Sequence, residues 1–316
     1  PYIYMPTDAW VQSQMDLKSA LNTLIRKTPI KNKTNKISER IAILKQTPHQ
    51  CYLLKSRAFV TYKDDILPLY RGNVLYEYSA DEIKNQALSG ADWIIKNTQD
   101  DGRYLYYYDC KDDNYKDHEH PNAPDDNLYY NDLRHCGGVI TLIRAYQLTK
   151  EAKYLELAKK GIDFITTITE EHLVEDKPAA YVFYNKKAKL GGTAMILIAM
   201  MRYRCETGDK TYDEYIKKYT RHLLSRIYKT GEMLGYYINP NVQNGQPLTD
   251  MSEEERRETF SFYYPGEALL GLALFANYFE DDEDLRQEVL IKSKIALDWI
   301  VDERPKLYAD LFTPLP

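Results

Sequence analysis

The segment GVITLIRA at residues 138–145 decides the fold, because it joins a glycine, an apolar run and an alanine seven positions later. The segments GTAMILIA at 192–199 and GEALLGLA at 266–273 repeat this pattern. A spacing of seven returns to the same helix face, so each segment predicts an apolar helix with a stripe of small residues. We expect these three helices to lie inside the molecule and to pack closely.

Each apolar helix is followed by a short polar turn and a second helix with one polar face. These outer helices are predicted at about 151–167, 211–228 and 283–302. Helical hairpins of this kind stack side by side, because none buries its apolar face alone. The sequence therefore predicts a mainly α fold of the α/α-toroid kind. The toroid is expected to be incomplete or open, because fewer helices are predicted than a closed ring of six hairpins requires.

The chain is predicted to divide into an N-terminal part, residues 1–78, packed on a toroid domain at residues 79–316. The N-terminal part shows helical spacing at 8–26 and 38–45, with Ser38 as a candidate cap. Two short apolar runs at 51–54 and 58–62 predict a small β-hairpin. The next helix is expected to begin after Ser79, which can cap it, and to run to about residue 98.

Composition excludes several classes of protein. The chain has 42 basic and 47 acidic residues, a net charge of −5, and no long basic run, which argues against nucleic-acid binding. The longest apolar run, residues 191–201, is too short to cross a bilayer. No nucleotide-binding glycine motif occurs, and the acidic and histidine run at 117–120 lacks zinc spacing, so we expect no cofactor or metal. The four cysteines are widely spaced and are predicted to be isolated thiols.

The long links that precede the inner helices are expected to carry the functional site. Asp132, Arg134 and His135 fall immediately before the first inner helix, where unpaired peptide groups favour an anion. Arg134 could hold a ligand carboxylate through two hydrogen bonds, and His135 could exchange protons near neutral pH. The alternative is a local role, in which Asp132 caps the helix and Arg134 pairs with a neighbour.

The third inner helix opens with a second group of candidates. Glu267 could act as an acid or base opposite Asp126 or Asp132. Alternatively, its negative charge could simply interact favourably with the positive end of the helix dipole. Tyrosine is abundant, with 29 residues, and its flat ring with a hydroxyl suits a wall that binds sugars. Packing at helix interfaces explains most of these tyrosines. The predicted ligand-binding residues are Arg134, Tyr130, Asp126, Tyr264 and Tyr236.

The segments NDLRHCGG at 131–138 and FYYPGEALL at 262–270 resemble the openings of inner helices in α/α-toroid carbohydrate-active enzymes. The likeness is nearest to the helical domain of uronyl C5-epimerases, and unsaturated glucuronyl hydrolases and terpene-cyclase toroids are more remote. It covers about residues 80–305. The resemblance implies hydrolysis, elimination or epimerisation of a saccharide, such as an acidic polysaccharide, with catalytic candidates Asp132, His135 and Glu267. The alternative is a non-catalytic helical-repeat module that binds a glycan, a peptide or a protein.

Overall fold

The computed structural model describes residues 3–5, 17–28, 36–50, 52, 55, 57–70, 73–74, 79–115, 130–237, 252, 254 and 261–307. These residues are mainly helical, with a few short strands. They form two compact units, one ending at Glu82 and the other beginning at Ile83. None of the described helices is long and apolar enough to cross a membrane.

The N-terminal unit contains two short helices, α1 (Leu17–Arg26) and α2 (Ile37–Gln46), and a small antiparallel sheet. The sheet has the order β1 (Ala58–Tyr62), β2 (Asp65–Tyr70) and β3 (Asn73–Val74). The strand expected at 58–62 is present, but it pairs with 65–70, whereas the sequence suggested 51–54. Lys63 takes a left-handed φ of 53°, which allows the tight turn between β1 and β2. Most of 51–54 lies outside the described residues.

Helix α3 (Ala80–Lys96) begins with the cap that the sequence predicted. The Ser79 hydroxyl accepts a hydrogen bond from the Glu82 amide at 3.1 Å, and the Glu82 carboxylate accepts one from the Ser79 amide at 3.0 Å. This reciprocal pair is a capping box. By contrast, Ser38 is not a cap, since α2 already begins at Ile37.

Three helical hairpins form the main part of the second unit, as the repeated segments predicted. The inner helices are α4 (Asp132–Thr149), α6 (Leu190–Thr207) and α8 (Tyr264–Tyr278), and the outer helices are α5 (Ala152–Thr167), α7 (Asp213–Ser225) and α9 (Glu283–Asp298). Each inner helix packs on its outer partner, and α6 lies between α4 and α8. A π-helical turn (Trp299–Glu303) and α10 (Arg304–Leu307) follow α9.

Close packing between the inner helices α6 and α8 involves a small residue, Gly271, whereas the predicted stripe residues of α8, Gly266 and Ala273, are exposed. A Cβ added at Gly271 of α8 would lie 3.2 Å from the Leu197 side chain of α6 and 3.4 Å from the Ala194 carbonyl. Helix α6 is buried on nearly all sides, whereas α5 buries one face that includes Tyr154 and Ile162. The burial of α6 therefore matches its apolar pattern, whereas the other two inner helices, α4 and α8, each leave one face exposed, as the outer helices do.

The first inner helix begins earlier than the sequence suggested. The side chain of Asn131 accepts a hydrogen bond from the Arg134 amide at 3.2 Å, so Asn131 is the cap and α4 starts at Asp132, well before Gly138. Asp132, Arg134 and His135 consequently lie in the first turn and not in a preceding loop. Their side chains therefore point in directions fixed by the helix.

The link from α5 to α6 is more ordered than a loop. It forms a β-hairpin from β4 (Thr169–Val174) and β5 (Lys177–Val182), and it ends in β6 (Ala188–Lys189). Strand β6 pairs with β7 (Tyr236–Tyr237), which lies in the link between α7 and α8. Two links that enter inner helices are thus joined beside the starts of those helices.

Gly161 of α5 should be sensitive to substitution, because a Cβ there would lie 2.4 Å from Tyr104 Oη and 2.8 Å from Val139 Cγ2. We expect Gly161→Ala to lower the free energy of unfolding by about 1–3 kcal/mol, measured by urea denaturation. Gly137→Ala is the control, since its Cβ would meet nothing within 4 Å and alanine favours a helix. Equal stability of the two variants would contradict the packing described.

Candidate functional site

The first turns of the three inner helices meet at two glycines of α6, Gly191 and Gly192, which we call the glycine floor. A Cβ at Gly192 would lie 2.0 Å from Asp132 Oδ2 of α4. A Cβ at Gly191 would lie 2.5 Å from Tyr264 Cδ1 and 2.7 Å from Glu267 Oε2 of α8. Carboxyl groups from two helices therefore border the glycine floor, and only glycine leaves room for them.

Asp132 is 5% exposed, and its carboxylate lies 3.9 Å from the Lys189 ammonium. Burial raises the pKa of Asp132, while the Lys189 charge and two backbone amides of the first turn oppose that shift. Lys189 directly precedes α6 and makes no side-chain cap. The pair joins the start of α4 to the start of α6.

Glu267 lies in the first turn of α8 and is half-buried. Its Oε2 atom is fully buried and has no hydrogen-bond partner within the described parts of the chain. Burial raises the pKa of Glu267, because the charged carboxylate loses water without gaining a donor. This carboxyl group is therefore protonated at higher pH than an ordinary glutamate.

Tyr264 and Tyr236 form an aromatic edge beside Glu267. Their ring centroids are 6.3 Å apart in an edge-to-face arrangement. Burial raises the pKa of Tyr264 to about 12, and the charges of Tyr236, Asp132 and Glu267 contribute to that rise. Tyr236 is carried by β7, and its backbone pairs with Lys189 of β6. The two tyrosines predicted to bind ligand thus lie together at the glycine floor.

His135 points away from the glycine floor into the core between α4 and α5. Its Nδ1 accepts a hydrogen bond from the Tyr130 hydroxyl at 2.7 Å, and its Nε2–H donates to the Gly161 carbonyl at 2.8 Å. The Tyr130 hydroxyl in turn accepts from the Tyr104 amide at 2.8 Å. The ring of His135 stacks on that of Tyr104 with centroids 4.5 Å apart. Both ring nitrogens are therefore occupied inside the protein.

The setting of His135 and Tyr130 differs from the one that the sequence suggested. Burial lowers the pKa of His135 to about 4, so its imidazole is neutral near pH 7. Burial likewise raises the pKa of the Tyr130 hydroxyl. The geometry favours a packing role for this pair, and the predicted proton exchange at His135 and ligand contact at Tyr130 stay predictions.

Arg134 lies on another flank of the first turn, since two residues correspond to a rotation of about 200° around a helix. Its guanidinium lies over the Tyr106 ring, 5.4 Å from the centroid, and the side chain is exposed. It makes no ion pair with any residue that the structure describes. A small pocket adjoins this flank and is lined by Gln99, Arg103, Tyr104, Leu105, Tyr106, Tyr107, Tyr115 and Tyr130.

The remaining site predictions fall partly outside the structure. Asp126 and the run at 117–120 lie outside the described residues, so the role of Asp126 stays a prediction. Within the described ranges, no group of three or more His, Cys, Asp or Glu side chains is placed to hold a metal ion. Cys110, Cys136 and Cys205 are free thiols.

Sequence analysis did not single out Lys189 or Gly191 as site residues. The signal was the segment KLGG at 189–192, which opens the second inner helix as NDLR at 131–134 opens the first. Comparing the three openings with one another would have found both residues.

Residues 100–252 match the protein family D-glucuronyl C5-epimerase C-terminus. This match covers a little under half of the chain and confirms the resemblance to uronyl C5-epimerases. The matched region, which we call the epimerase-like region, contains α4 to α7, Lys189 and the glycine floor, whereas Tyr264 and Glu267 lie beyond it. A comparison with curated proteins gives no match. The epimerase-like region supports a carbohydrate-modifying enzyme.

Proposed function

We propose that residues 79–316 form an open α/α toroid that inverts the configuration at C5 of a glucuronyl residue in an acidic polysaccharide. The observation that carries this proposal is the pair of carboxyl groups, Asp132 and Glu267, on two sides of the glycine floor. Both have a pKa raised by burial, which suits groups that exchange protons near neutral pH. The match of the epimerase-like region supports the choice of epimerisation among proton-transfer reactions.

Epimerisation at C5 needs one base and one acid on opposite faces of the sugar. The base takes the C5 proton, and the electron pair of the broken C–H bond stays on the carbon and spreads into the adjacent carboxylate. The acid then gives a proton to C5 from the other face, so one C–H bond breaks and one forms. No other bond of the sugar changes.

The surroundings of the two carboxyl groups favour different roles. Asp132 lies beside Lys189, whose positive charge favours the ionised form, so Asp132 is the proposed base. Glu267 has no donor for its buried oxygen among the described residues, which favours the protonated form, so Glu267 is the proposed acid. The Lys189 ammonium would also disperse the negative charge that develops on the reacting carboxylate.

The substrate-binding residues are proposed from the same geometry. Tyr264 and Tyr236 would stack on the reacting sugar at the glycine floor, since an aromatic ring offers a flat apolar face. Arg134, held over Tyr106, would bind a carboxylate of the polysaccharide on the other flank of α4. Binding groups on two flanks suit an extended chain ligand.

Incubation of the protein with a glucuronyl polysaccharide in D₂O tests the proposal directly. We expect deuterium at C5 and the appearance of iduronyl residues, measured by NMR, with chain length unchanged. Unsaturated chain ends would show elimination instead, and new reducing ends would show hydrolysis. Binding of the polysaccharide without any deuterium uptake would support a non-catalytic glycan-binding module. Each of these three results would overturn epimerisation.

A further inference from the structure

Arg226 is a buried cation that the proposed reaction does not use. It directly follows α7, its side chain is 5% exposed, and its guanidinium lies over the Tyr237 ring, 5.4 Å from the centroid. Its Nη2 donates a hydrogen bond to the Tyr236 carbonyl at 2.7 Å. Both contacts are made to the two residues of β7.

Burial of Arg226 is costly, because no carboxylate in the described parts of the chain pairs with it. Its Nε atom is buried without a hydrogen-bond partner among the same residues. Loss of water lowers the pKa of the guanidinium to about 10. The neighbouring His172 and His222 are hydrogen-bonded to each other at 3.0 Å, and burial and the Arg226 charge lower the pKa of both, so both rings are neutral near pH 7 and do not balance the charge of Arg226. An unpaired buried charge weakens the fold unless another contact compensates.

Three successive contacts lead from Arg226 to the glycine floor. Arg226 binds the Tyr236 carbonyl, and the backbone of Tyr236 pairs with Lys189 in the two-strand ladder of β6 and β7. Lys189 then reaches the Asp132 carboxylate. The loop before β7 is fixed at both ends, since the Leu234 amide donates to the Arg226 carbonyl at 2.8 Å and the Leu190 amide donates to the Gly235 carbonyl at 2.9 Å.

We propose that Arg226 is a positioning residue that holds β7 in place and, through the ladder, fixes the Lys189 ammonium beside Asp132 and the Tyr236 ring beside Tyr264. The expected effect of Arg226 on catalysis rests on the proposed function, whereas its expected effect on the position of β7 and Lys189 does not.

Without the guanidinium, β7 keeps its ladder with β6 and the backbone hydrogen bonds of Leu234 and Gly235 that precede it. The Tyr237 ring also keeps its contacts with His172 and Tyr181. A strand pair of two residues is weak by itself, so we expect these contacts to hold β7 less firmly than when Arg226 is present.

Lys189 provides a readout that does not depend on turnover, because its side chain is only 17% exposed. A small amine-reactive ester acylates exposed lysines, and peptide mass spectrometry measures how fast Lys189 reacts. We expect Lys189 to be acylated about fivefold faster in Arg226→Met than in the wild type. Arg221→Met is the matched control. Arg221 lies in the last two turns of α7, donates a hydrogen bond to the Pro178 carbonyl at 3.1 Å and pairs with Asp282 at 3.7 Å, and neither contact is made to β7. Lys189 labelling should be unchanged in this control.

Equal labelling of Lys189 in a folded Arg226→Met variant and the wild type would overturn the proposal. If Arg226→Met does not fold, Arg226→Lys takes its place, since it keeps the charge and one donor but loses the planar contact with Tyr237. Labelling in Arg226→Lys must then exceed that of Arg221→Met, and equal labelling would again overturn the proposal.

Kinetics separate a positioning role from a general loss of fold. With an epimerase assay, we expect Arg226→Met to lower kcat about tenfold per folded molecule and to change KM less, because the reacting groups are displaced while Arg134 still binds the chain. Faster Lys189 labelling in a protein without C5 exchange would leave the positioning role standing and reject the proposed function.

Discussion

Glu267→Gln is expected to lower the rate of C5 exchange by about 10²- to 10³-fold, because the amide has nearly the same shape as the carboxyl group but cannot deliver a proton. Substrate binding should change little, since the proposed binding groups, Arg134, Tyr236 and Tyr264, remain. The fold should also persist, because Glu267 Oε2 makes no hydrogen bond to any described residue that the substitution would break. Deuterium uptake and substrate affinity, measured side by side, check this result.

Glu283→Gln is the matched control for Glu267→Gln. Glu283 also lies in the first turn of a helix, α9, where its carboxylate contacts Arg286 and Gln287 on the surface. The substitution changes the same chemical group in the same helical position, so C5 exchange should be that of the wild type. If the rate of C5 exchange in Glu267→Gln matched that of this control, Glu267 would not be the acid. Its role would then be limited to a favourable interaction with the dipole of α8.

The free energy of unfolding should fall steeply on acidification between about pH 6.5 and pH 4. His135 has a pKa lowered to about 4 in the folded protein, against 6.5 ordinarily, so the unfolded chain binds more protons in this window. Stability is therefore full above pH 6.5 and is lost as the pH falls towards 4. The shift of His135 alone corresponds to about 3 kcal/mol. His172 and His222 act in the same direction, since burial lowers the pKa of each.

Urea denaturation at a series of pH values measures this loss, and variants isolate its origin. His135→Gln should be less stable at pH 7 but should show a shallower decline between pH 6.5 and 4, because one buried titrating group is gone. His49→Gln is the control, since His49 is exposed, and it should follow the wild-type curve. Asp132 and Glu267 have raised pKa values and oppose the trend, so the comparison between variants is decisive rather than the wild-type slope. Parallel curves for His135→Gln and wild type would contradict the buried neutral imidazole.

The helical hairpins could be predicted from the sequence because their signal is local and repeated. The segments at 138–145, 192–199 and 266–273 carry glycine and alanine on one face, and that pattern depends only on helical geometry. The grouping of Asp132, Tyr264 and Glu267 followed from the same repeat, since equivalent positions of stacked units lie side by side. Because the hairpins stack regularly, the repeated local pattern was enough to predict which helix starts lie next to each other.

The direction of individual side chains could not be predicted in the same way. His135 was expected at a site because of its residue type, but the Asn131 cap starts the helix early and turns His135 towards Gly161. Strand β7 is only two residues long, too short for a periodic signal, yet it carries Tyr236 and pairs with Lys189. Such features depend on contacts between distant segments, which no local pattern contains.

The meeting of three helix starts at the glycine floor has an electrostatic consequence. The cap residues of α6 and α8 make no side-chain hydrogen bond to their helices, although the Leu190 amide donates to the Gly235 carbonyl and the Tyr264 amide to the Ser261 hydroxyl. Each helix start contributes about half a positive charge there. A chain with a net charge of −5 can therefore still attract a polyanion, because the local potential at this one spot opposes that of the molecule as a whole.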